Sequence, residues 1–294
     1  MSTSSSSAKL HQELNILPLA SNQPVAVERI SKGNTGLVYV LIDHSNVYVE
    51  GKFIVGALER IYDRSRNTYY MKQLTIDFGC FLTALQRNRK LGNNPIIVGP
   101  RPSTNDSLWK TIREQEYKVT IYDRISVNKE VRVDTKITVS MVINSLVKIK
   151  NPGILILAAG DGDYVPALEE IMKAGWKVEI RFWTLSTSRH LKNLKVGELK
   201  TTFIPLDSEY KSFTFGFGPE PTKRKKVLEI THNKDKTLEN KDLLKCYVGI
   251  RSFCWWHKVN NGILQMYFNT NADLKMANRW LVKNFMEIQV WQKS

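Results

Sequence analysis

The sequence predicts an α/β fold, a parallel sheet with helices on both faces, followed by a small α+β domain. Between residues 37 and 206, apolar runs rich in β-branched residues alternate with amphipathic stretches, as is typical of parallel strands joined by crossover helices. After residue 226 the pattern is strand, helix, strand, strand, helix, strand, which is the split βαβ order of ferredoxin-like domains. An apolar share of 42% is sufficient for a packed core.

Six apolar runs predict the strands of the parallel sheet. They lie at residues 37–42, 95–98, 117–122, 153–158, 176–182 and 202–206. Between them, apolar residues spaced three or four positions apart predict helices. These lie at residues 71–91, 108–116, 134–147, 163–174 and 187–194. The alternation of the two patterns is the basis for a parallel sheet rather than an antiparallel one.

Changes in composition divide the chain into four parts. Residues 1–35 are Ser-rich and weakly patterned, so we expect a disordered arm. Residues 36–210 carry the predicted α/β domain, and residues 211–226 are interpreted as a basic linker rich in Gly and Pro. Residues 227–294 form the predicted small basic domain. Its elements are expected at 227–231, 237–248, 252–258, 263–268, 273–284 and 287–291.

The charge balance favours a polyanionic partner. The chain has 43 Lys and Arg against 28 Asp and Glu, a net charge of +15. Fourteen basic and six acidic residues lie within 222–294, so the excess is concentrated near one end. Basic groups bind nucleic acid because each phosphate contact releases condensed counterions. Solubility also explains a basic surface, so charge alone leaves both interpretations open.

Several classes of protein are disfavoured. No apolar run reaches the roughly 18–20 residues of a membrane helix, and the first residues lack the regions of a secretory signal. Three scattered cysteines do not form a disulfide framework. The spacing of Cys246, Cys254, His232 and His257 fits no paired zinc-ligand pattern. We therefore expect an intracellular protein, cytoplasmic or nuclear, with no membrane contact.

Carboxylates stand at the ends of the predicted strands. Asp43 follows the first strand, Asp161 and Asp163 follow the fourth, and Asp134 opens the third predicted helix. Because the carboxyl ends of parallel strands face a common crevice, we expect these side chains to converge. Closely spaced carboxylates repel each other unless they are protonated or a cation bridges them. A set of oxygen ligands suits Mg²⁺ or Mn²⁺ rather than zinc.

Each acidic residue also has a plainer explanation. Asp134 and Asp163 are typical N-caps of helices, and Asn46 is typical of a turn after a strand. Asp43 fits such an explanation least well, because it directly follows a buried apolar run. The combination and order of these residues are more informative than any one of them.

Three short motifs contain these residues, at positions 43–46, 129–134 and 159–164. They read Asp-His-Ser-Asn, Lys-Glu-Val-Arg-Val-Asp and Ala-Gly-Asp-Gly-Asp-Tyr. Together they resemble the NYN domain family of PIN-like nucleases, whose pattern is Asp-x-x-Asn, a Lys-x-Val-Asp-like motif and Ser-Gly-Asp-x-Asp-Phe. The resemblance covers residues 36–207.

The resemblance implies a PIN-like three-layer α/β/α sandwich with a Mg²⁺- or Mn²⁺-dependent endoribonuclease site. It implies RNA, single-stranded or structured, as the substrate, and products with a 5′-phosphate and a 3′-hydroxyl. By the same resemblance, the catalytic and metal-binding carboxylates are Asp43, Asp134, Asp161 and Asp163, with Asn46 as a polar aid to the first.

Basic and polar residues near the motifs are candidate substrate-binding residues. They are Asn46, Lys52, Lys129 and Lys136. For any one of these lysines, an ordinary solvated charge is an equally good explanation. His44 lies inside the first motif, and such a residue more often faces solvent than relays a proton.

Two departures from the family pattern favour a different function. Many relatives carry a further Asp where this chain has Ser140, and the usual Ser before Gly-Asp is Ala159. These changes favour a non-catalytic RNA-binding or scaffold protein on a degenerate nuclease fold. A phosphatase or nucleotide-binding protein ranks last, since the sequence has neither a Walker loop nor an Asp-x-Asp after the first strand. A homo-oligomer or a protein partner stays open.

Large aromatic residues on the predicted strands of the small domain allow two interpretations. They are Trp255, Trp256, Tyr267, Phe268 and Trp291. RNA recognition motifs stack bases on such residues, whereas in most small domains large aromatics belong to the core. The segment 262–268 does not match the consensus of an RNA recognition motif, so we favour the core.

Overall fold

The structure is a computed structural model. It describes residues 36–100, 107–122, 152–218, 226–232, 240–259, 263–285 and 288–293. The arm predicted at 1–35 and the helix predicted at 134–147 lie outside the described residues, and so does Asp134. The described residues form two compact units, one made of 36–50 and 82–207 and the other of 51–81 and 208–293.

The described strands and helices are numbered in chain order. The strands are β1 Val38–Asp43, β2 Tyr62–Asp63, β3 Thr68–Tyr69, β4 Leu74–Ile76, β5 Ile96–Pro100, β6 Lys118–Tyr122, β7 Ile154–Ala158, β8 Lys177–Phe182, β9 Lys195–Val196, β10 Leu199–Lys200, β11 Thr202–Pro205, β12 Thr214–Phe217, β13 Val227–His232, β14 Trp255–Lys258, β15 Leu264–Tyr267 and β16 Ile288–Lys293. The α-helices are α1 His44–Leu58, α2 Phe78–Gln86, α3 Ser107–Glu114, α4 Val165–Lys173, α5 Arg189–Asn193, α6 Asn240–Ile250 and α7 Asn271–Asn284.

A parallel sheet of six strands lies at the centre of the first unit. Its order is β11-β8-β7-β1-β5-β6, and every neighbouring pair is parallel. All six residues of β1 are buried, as expected for a central strand covered on both faces. Helices flank this sheet, so the predicted α/β class is confirmed, and each of the six predicted strands is present.

The second unit contains a sheet with the order β16-β13-β15-β14-β12-β4. The four strands β16, β13, β15 and β14 pair antiparallel, and with α6 and α7 they complete the predicted βαββαβ pattern. Their spatial order, fourth-first-third-second, is that of a ferredoxin-like sheet. Strand β12 extends it by pairing parallel with β14 and antiparallel with β4.

Two segments differ from the sequence-based expectations. The linker interpretation of 211–226 is wrong for Thr214–Phe217, which form the buried strand β12. The single helix predicted at 71–91 is also wrong, since Leu74–Ile76 form a strand and the helix spans Phe78–Gln86. The two units are interleaved in sequence, because residues 51–81 belong to the same unit as residues 208–293.

Aromatic residues of the ferredoxin-like strands belong to the core. Trp255 and Trp256 are fully buried, and Tyr267 and Phe268 are at most 8% exposed. The ring of Trp256 stacks on Phe215 with centroids 4.9 Å apart. The packing interpretation is therefore confirmed for these four residues.

Asp77 lies between β4 and α2. Its Oδ1 accepts a hydrogen bond from the backbone N–H of Cys80 at 2.9 Å, which is the geometry of an N-cap. The residue is 2% exposed. Burial raises the pKa of its carboxyl, and the hydrogen bonds from Cys80 and Gly79 only partly oppose that shift. A raised pKa means that the ionised carboxylate opposes folding.

We expect the replacement Asp77→Asn to become more favourable as pH rises. The unfavourable contribution of Asp77 is absent below the pKa of the unfolded state and is complete above the folded pKa. Asn keeps an acceptor for the cap and carries no charge. Relative to the wild type, the midpoint of thermal unfolding of Asp77→Asn should therefore be higher at about pH 8 than at about pH 4. An equal difference at both pH values, measured by circular dichroism, would contradict this.

Candidate active site at the carboxyl edge of the parallel sheet

The first and third motifs lie at the ends of two adjacent strands. Pairing of β1 with β7 runs to Ile42 opposite Ala158, and Asp43 and Asp161 follow at the same edge. From β1 the chain continues to β5 on one side and later returns to β7 on the other. The strand order therefore reverses between β1 and β7. Such a reversal opens the crevice in which open α/β sheets bind ligands.

Hydrogen bonds from Ser45, Asn46 and Tyr164 hold Asp43 in place. Its Oδ1 accepts from Ser45 Oγ at 2.8 Å and from the backbone N–H of Asn46 at 3.0 Å. Its Oδ2 accepts from the hydroxyl of Tyr164 at 2.9 Å. The bond to Asn46 makes Asp43 the N-cap of α1. Asp43 thus has a structural role after all, which the sequence argument did not expect.

Burial sets the electrostatics of Asp43. The residue is 3% exposed, and loss of water raises the pKa of its carboxyl above the usual range. The hydrogen bonds from Asn46, Ser45 and Tyr164 lower the pKa and offset part of this shift. The carboxylate is therefore fixed in direction and poorly solvated, and a nearby cation would stabilise its charged form.

Asp161 and Asp163 are both exposed. Asp161 Oδ1 accepts a hydrogen bond from the backbone N–H of Asp163 at 3.1 Å, which caps the short 3₁₀ helix Gly162–Tyr164. Helix α4 follows directly, with a proline in its first turn. The capping role expected for Asp163 therefore belongs to Asp161, and Asp163 lies in the first turn that it caps.

Asn46 connects the two motifs. Its Oδ1 accepts a hydrogen bond from the backbone N–H of Gly160 at 2.8 Å, and the carbonyl of Gly160 accepts from the N–H of Ser188 at 2.8 Å. A Cβ at Gly160 would lie 2.2 Å from the ring of Phe182, so no larger residue fits there. The loop that carries Asp161 is thus fixed at Gly160 by hydrogen bonds on both sides.

The remaining predicted residues lie elsewhere or are not described. His44 packs against Tyr48 and Trp109, with ring centroids 5.6 and 4.9 Å apart. Lys52 lies in the second half of α1, within the second unit. The predicted residues outside the described part of the chain are Asp134, Lys129, Lys136 and Ser140.

The donors at this edge are suited to a hard divalent cation. Asp43, Asp161 and Asp163 offer carboxylate oxygens, the ligands that Mg²⁺ and Mn²⁺ prefer. Within the described residues, no group of three or more His, Cys, Asp or Glu is placed to hold a metal ion. The described residues therefore provide three carboxylates of the predicted set, and the fourth predicted member, Asp134, lies outside them.

Comparison with known proteins decides the family. The sequence model of the NYN domain matches residues 37–197, which is more than half of the chain. The protein belongs to the NYN domain family. No curated protein and no solved structure matches the chain. The NYN family is related to the PIN-like nucleases, and its members are generally nucleases that act on RNA and usually use divalent metal ions. None of the chain's described helices is long and apolar enough to cross a membrane.

Tyr164 is a residue of the site that the sequence analysis missed. It occupies the position where the NYN pattern has Phe, and its ring is fully buried. The additional hydroxyl donates to Asp43, 121 positions earlier in the chain. The departure from Phe was visible in the third motif, but its partner becomes evident only when β1 and β7 are neighbours. Ala159 is also fully buried, at the position of the usual Ser.

We expect Tyr164→Phe to lower the free energy of unfolding by about 1–3 kcal/mol, because a buried carboxylate oxygen loses its donor. The ring is retained, so no cavity forms. Without this hydrogen bond the pKa of Asp43 should rise further. The first effect is measured by urea denaturation at neutral pH.

The control is Tyr164→Phe combined with Asp43→Asn. If the hydroxyl acts through Asp43, the two substitutions should be non-additive in a double-mutant cycle. Additive effects would show that the hydroxyl stabilises the fold by another route.

Proposed function

We propose that this protein is a metal-dependent endoribonuclease that hydrolyses phosphodiester bonds at the carboxyl edge of its parallel sheet. One observation carries the proposal. Asp43 and Asp161, the acidic residues of two NYN motifs, follow adjacent parallel strands at the point where the strand order reverses. Membership of a nuclease family supports the reaction class.

Asp43 and Asp161 would hold the divalent cation, Mg²⁺ or Mn²⁺, with Asp134 and Asp163 as further carboxylates of the set. When bound, such an ion neutralises phosphate charge and lowers the pKa of a coordinated water. The protein's contribution is to fix the carboxylates before substrate arrives. The bonds from Ser45 and Tyr164 orient Asp43, so its rotation need not be restricted during the reaction.

RNA is the proposed partner because of charge as well as family. A net charge of +15 attracts a polyanion from solution and makes its binding dependent on salt. Cleavage would then depend on the acidic edge, while affinity depends on basic residues. Variants of the two kinds of residue should therefore affect different measurements.

We expect Asp43→Asn and Asp161→Asn each to slow cleavage of labelled RNA by at least about 100-fold, because a charge that binds the cation is lost. RNA affinity, measured with chelator, should be unchanged or higher, since repulsion of the phosphates is reduced. The cleavage rates of the wild type and of both variants are measured with Mn²⁺ and with Mg²⁺, on single-stranded and double-stranded RNA and DNA.

The matched control is Glu198→Gln, which removes an exposed carboxylate in the turn between β9 and β10. It should cleave at the wild-type rate. If either Asp variant also cleaves at that rate, the assignment of the site is wrong.

A second function, RNA binding without catalysis, is favoured by a specific observation. Donors from three residues already engage the carboxylate of Asp43, and the residue is 3% exposed. Asp161 likewise serves as a cap. On this interpretation the motif residues stabilise the loops of a degenerate nuclease fold, as the departures at Ser140 and Ala159 also suggest.

Titration with Mn²⁺ in a calorimeter distinguishes the two functions. A nuclease should bind the ion in the absence of RNA, and Asp43→Asn should weaken that binding by about tenfold or more, because an anionic ligand is lost. The fold of the variant is checked by its thermal unfolding. If the heat of Mn²⁺ binding is the same for the wild type and Asp43→Asn, the non-catalytic function is favoured.

A further inference from the structure

A short hairpin in the second unit exposes two tyrosine rings. Strands β2 and β3 pair Tyr62 with Tyr69 and are joined by a turn at residues 64–67. Tyr62 is 42% exposed and Tyr69 is 47% exposed. Their ring centroids lie 5.6 Å apart at an interplanar angle of 87°. Two adjacent exposed tyrosine rings offer an aromatic surface on which a planar group can stack.

Hydrogen bonds hold this hairpin in shape. Asp63 Oδ1 accepts from the backbone N–H and the hydroxyl of Ser65 at 2.9 and 2.7 Å. Asn67 adopts a left-handed backbone with φ of 53°, as Asn tolerates in tight turns. The hydroxyl of Tyr62 donates to Asn67 Oδ1. The two rings are therefore presented by a preformed turn, which lowers the entropy lost on binding.

The segment that carries the two rings has a net positive charge. Residues 52–72 contain five Lys or Arg and two acidic residues, and one of the latter, Glu59, is buried and accepts from the hydroxyl of Tyr210 at 2.7 Å. The guanidinium of Arg66 lies 4.3 Å from the ring centroid of Tyr70. Burial lowers the pKa of Lys52, and the charges of Arg66 and Lys72 lower it further.

We propose that this surface, the tyrosine hairpin, binds single-stranded RNA by stacking bases on its tyrosines and pairing phosphates with its basic side chains. The tyrosine hairpin consists of Arg60, Tyr62, Arg64, Arg66, Tyr69 and Lys72, all of which are exposed. The inference rests on the proposed function and extends it by naming the form of RNA that is bound.

Single strands fit this surface better than duplexes or acidic proteins do. In a duplex the bases are already stacked on one another, so two separate rings gain little from them. An acidic protein would satisfy the charges but would leave both rings without a planar partner. Alternating aromatic and basic side chains are typical of surfaces that bind single-stranded nucleic acid with little sequence preference.

Fluorescence anisotropy of the full chain, with chelator present, tests the proposal. The probes are a labelled single strand of mixed sequence and its duplex. Tyr62→Ala combined with Tyr69→Ala should weaken single-strand binding by about tenfold or more, because base stacking is lost. Duplex binding should change little, and the corresponding double Phe variant, which keeps both rings but loses the bond from Tyr62 to Asn67, should bind the single strand more tightly than the alanine variant does.

The salt dependence gives an independent measurement if the alanine variant folds poorly. Arg64→Gln combined with Lys72→Gln should reduce the slope of log K against log salt by about 1.4, since each phosphate contact on a single strand contributes about 0.7. The control, Lys118→Gln with Lys177→Gln, removes two exposed charges at the amino ends of β6 and β8 in the first unit. Its slope should match the wild type.

Three results would overturn the inference. They are unchanged single-strand affinity in a folded alanine variant, equal weakening of single-strand and duplex binding, and equal slopes for the hairpin and control variants. Because cleavage is absent in chelator, failure here leaves the nuclease proposal intact. Conversely, loss of the effect of Asp43→Asn on cleavage would leave the hairpin result standing.

Discussion

The pairing of β1 with its two parallel neighbours is the interaction on which the rest of the first unit depends. Every residue of β1 is buried, and its partners β5 and β7, which both come later in the chain, lie on opposite sides of it. A shift of one residue in this register would move each side chain of β1 to the opposite face of the sheet and disrupt the packing of both faces. The same register brings Asp43 beside the loop that contains Gly160 and Asp161.

Burial of Asp43 links the stability of the fold to the geometry of the candidate site. A desolvated carboxylate lowers stability unless donors compensate for the lost water. Here donors from three neighbouring residues do so, and one of these residues, Tyr164, comes from the other motif. The arrangement that satisfies the charge also ties the two motifs together, so stability and the geometry of the edge are set by the same bonds.

The sequence predicted elements well where local and tertiary preferences agree. The β-branched runs become strands within one or two residues of their expected bounds. The sequence did not predict helix α1, because this segment contains Val, Ile and two Gly residues, which have low helix propensity. The Gly-containing segment Thr214–Phe217 was taken for a linker, since its burial depends on partners far away in the chain.

For the site, the sequence predicted which acidic residues stand at strand ends but not what holds them. Because the carboxyl ends of parallel strands share one edge of a sheet, the sequence predicted that Asp43 and Asp161 lie at the same edge. The third motif also contains Tyr164. The hydrogen bond between Tyr164 and Asp43 depends on tertiary packing, which spacing in one sequence cannot show. Asp134 lies outside the described residues, so its membership of the metal-binding carboxylate set stays a prediction.

Interleaving of the two units has a consequence for how the chain folds. Strand β4 is separated from its neighbour β12 by more than a hundred residues, and β12 in turn pairs with β14. A fragment ending near residue 210 would therefore contain β4 but lack the strands beside it, leaving an open apolar edge prone to self-association. The sheet that contains β4 is built from residues 51–81 and 208–293. Both segments must therefore be synthesised before that sheet is complete.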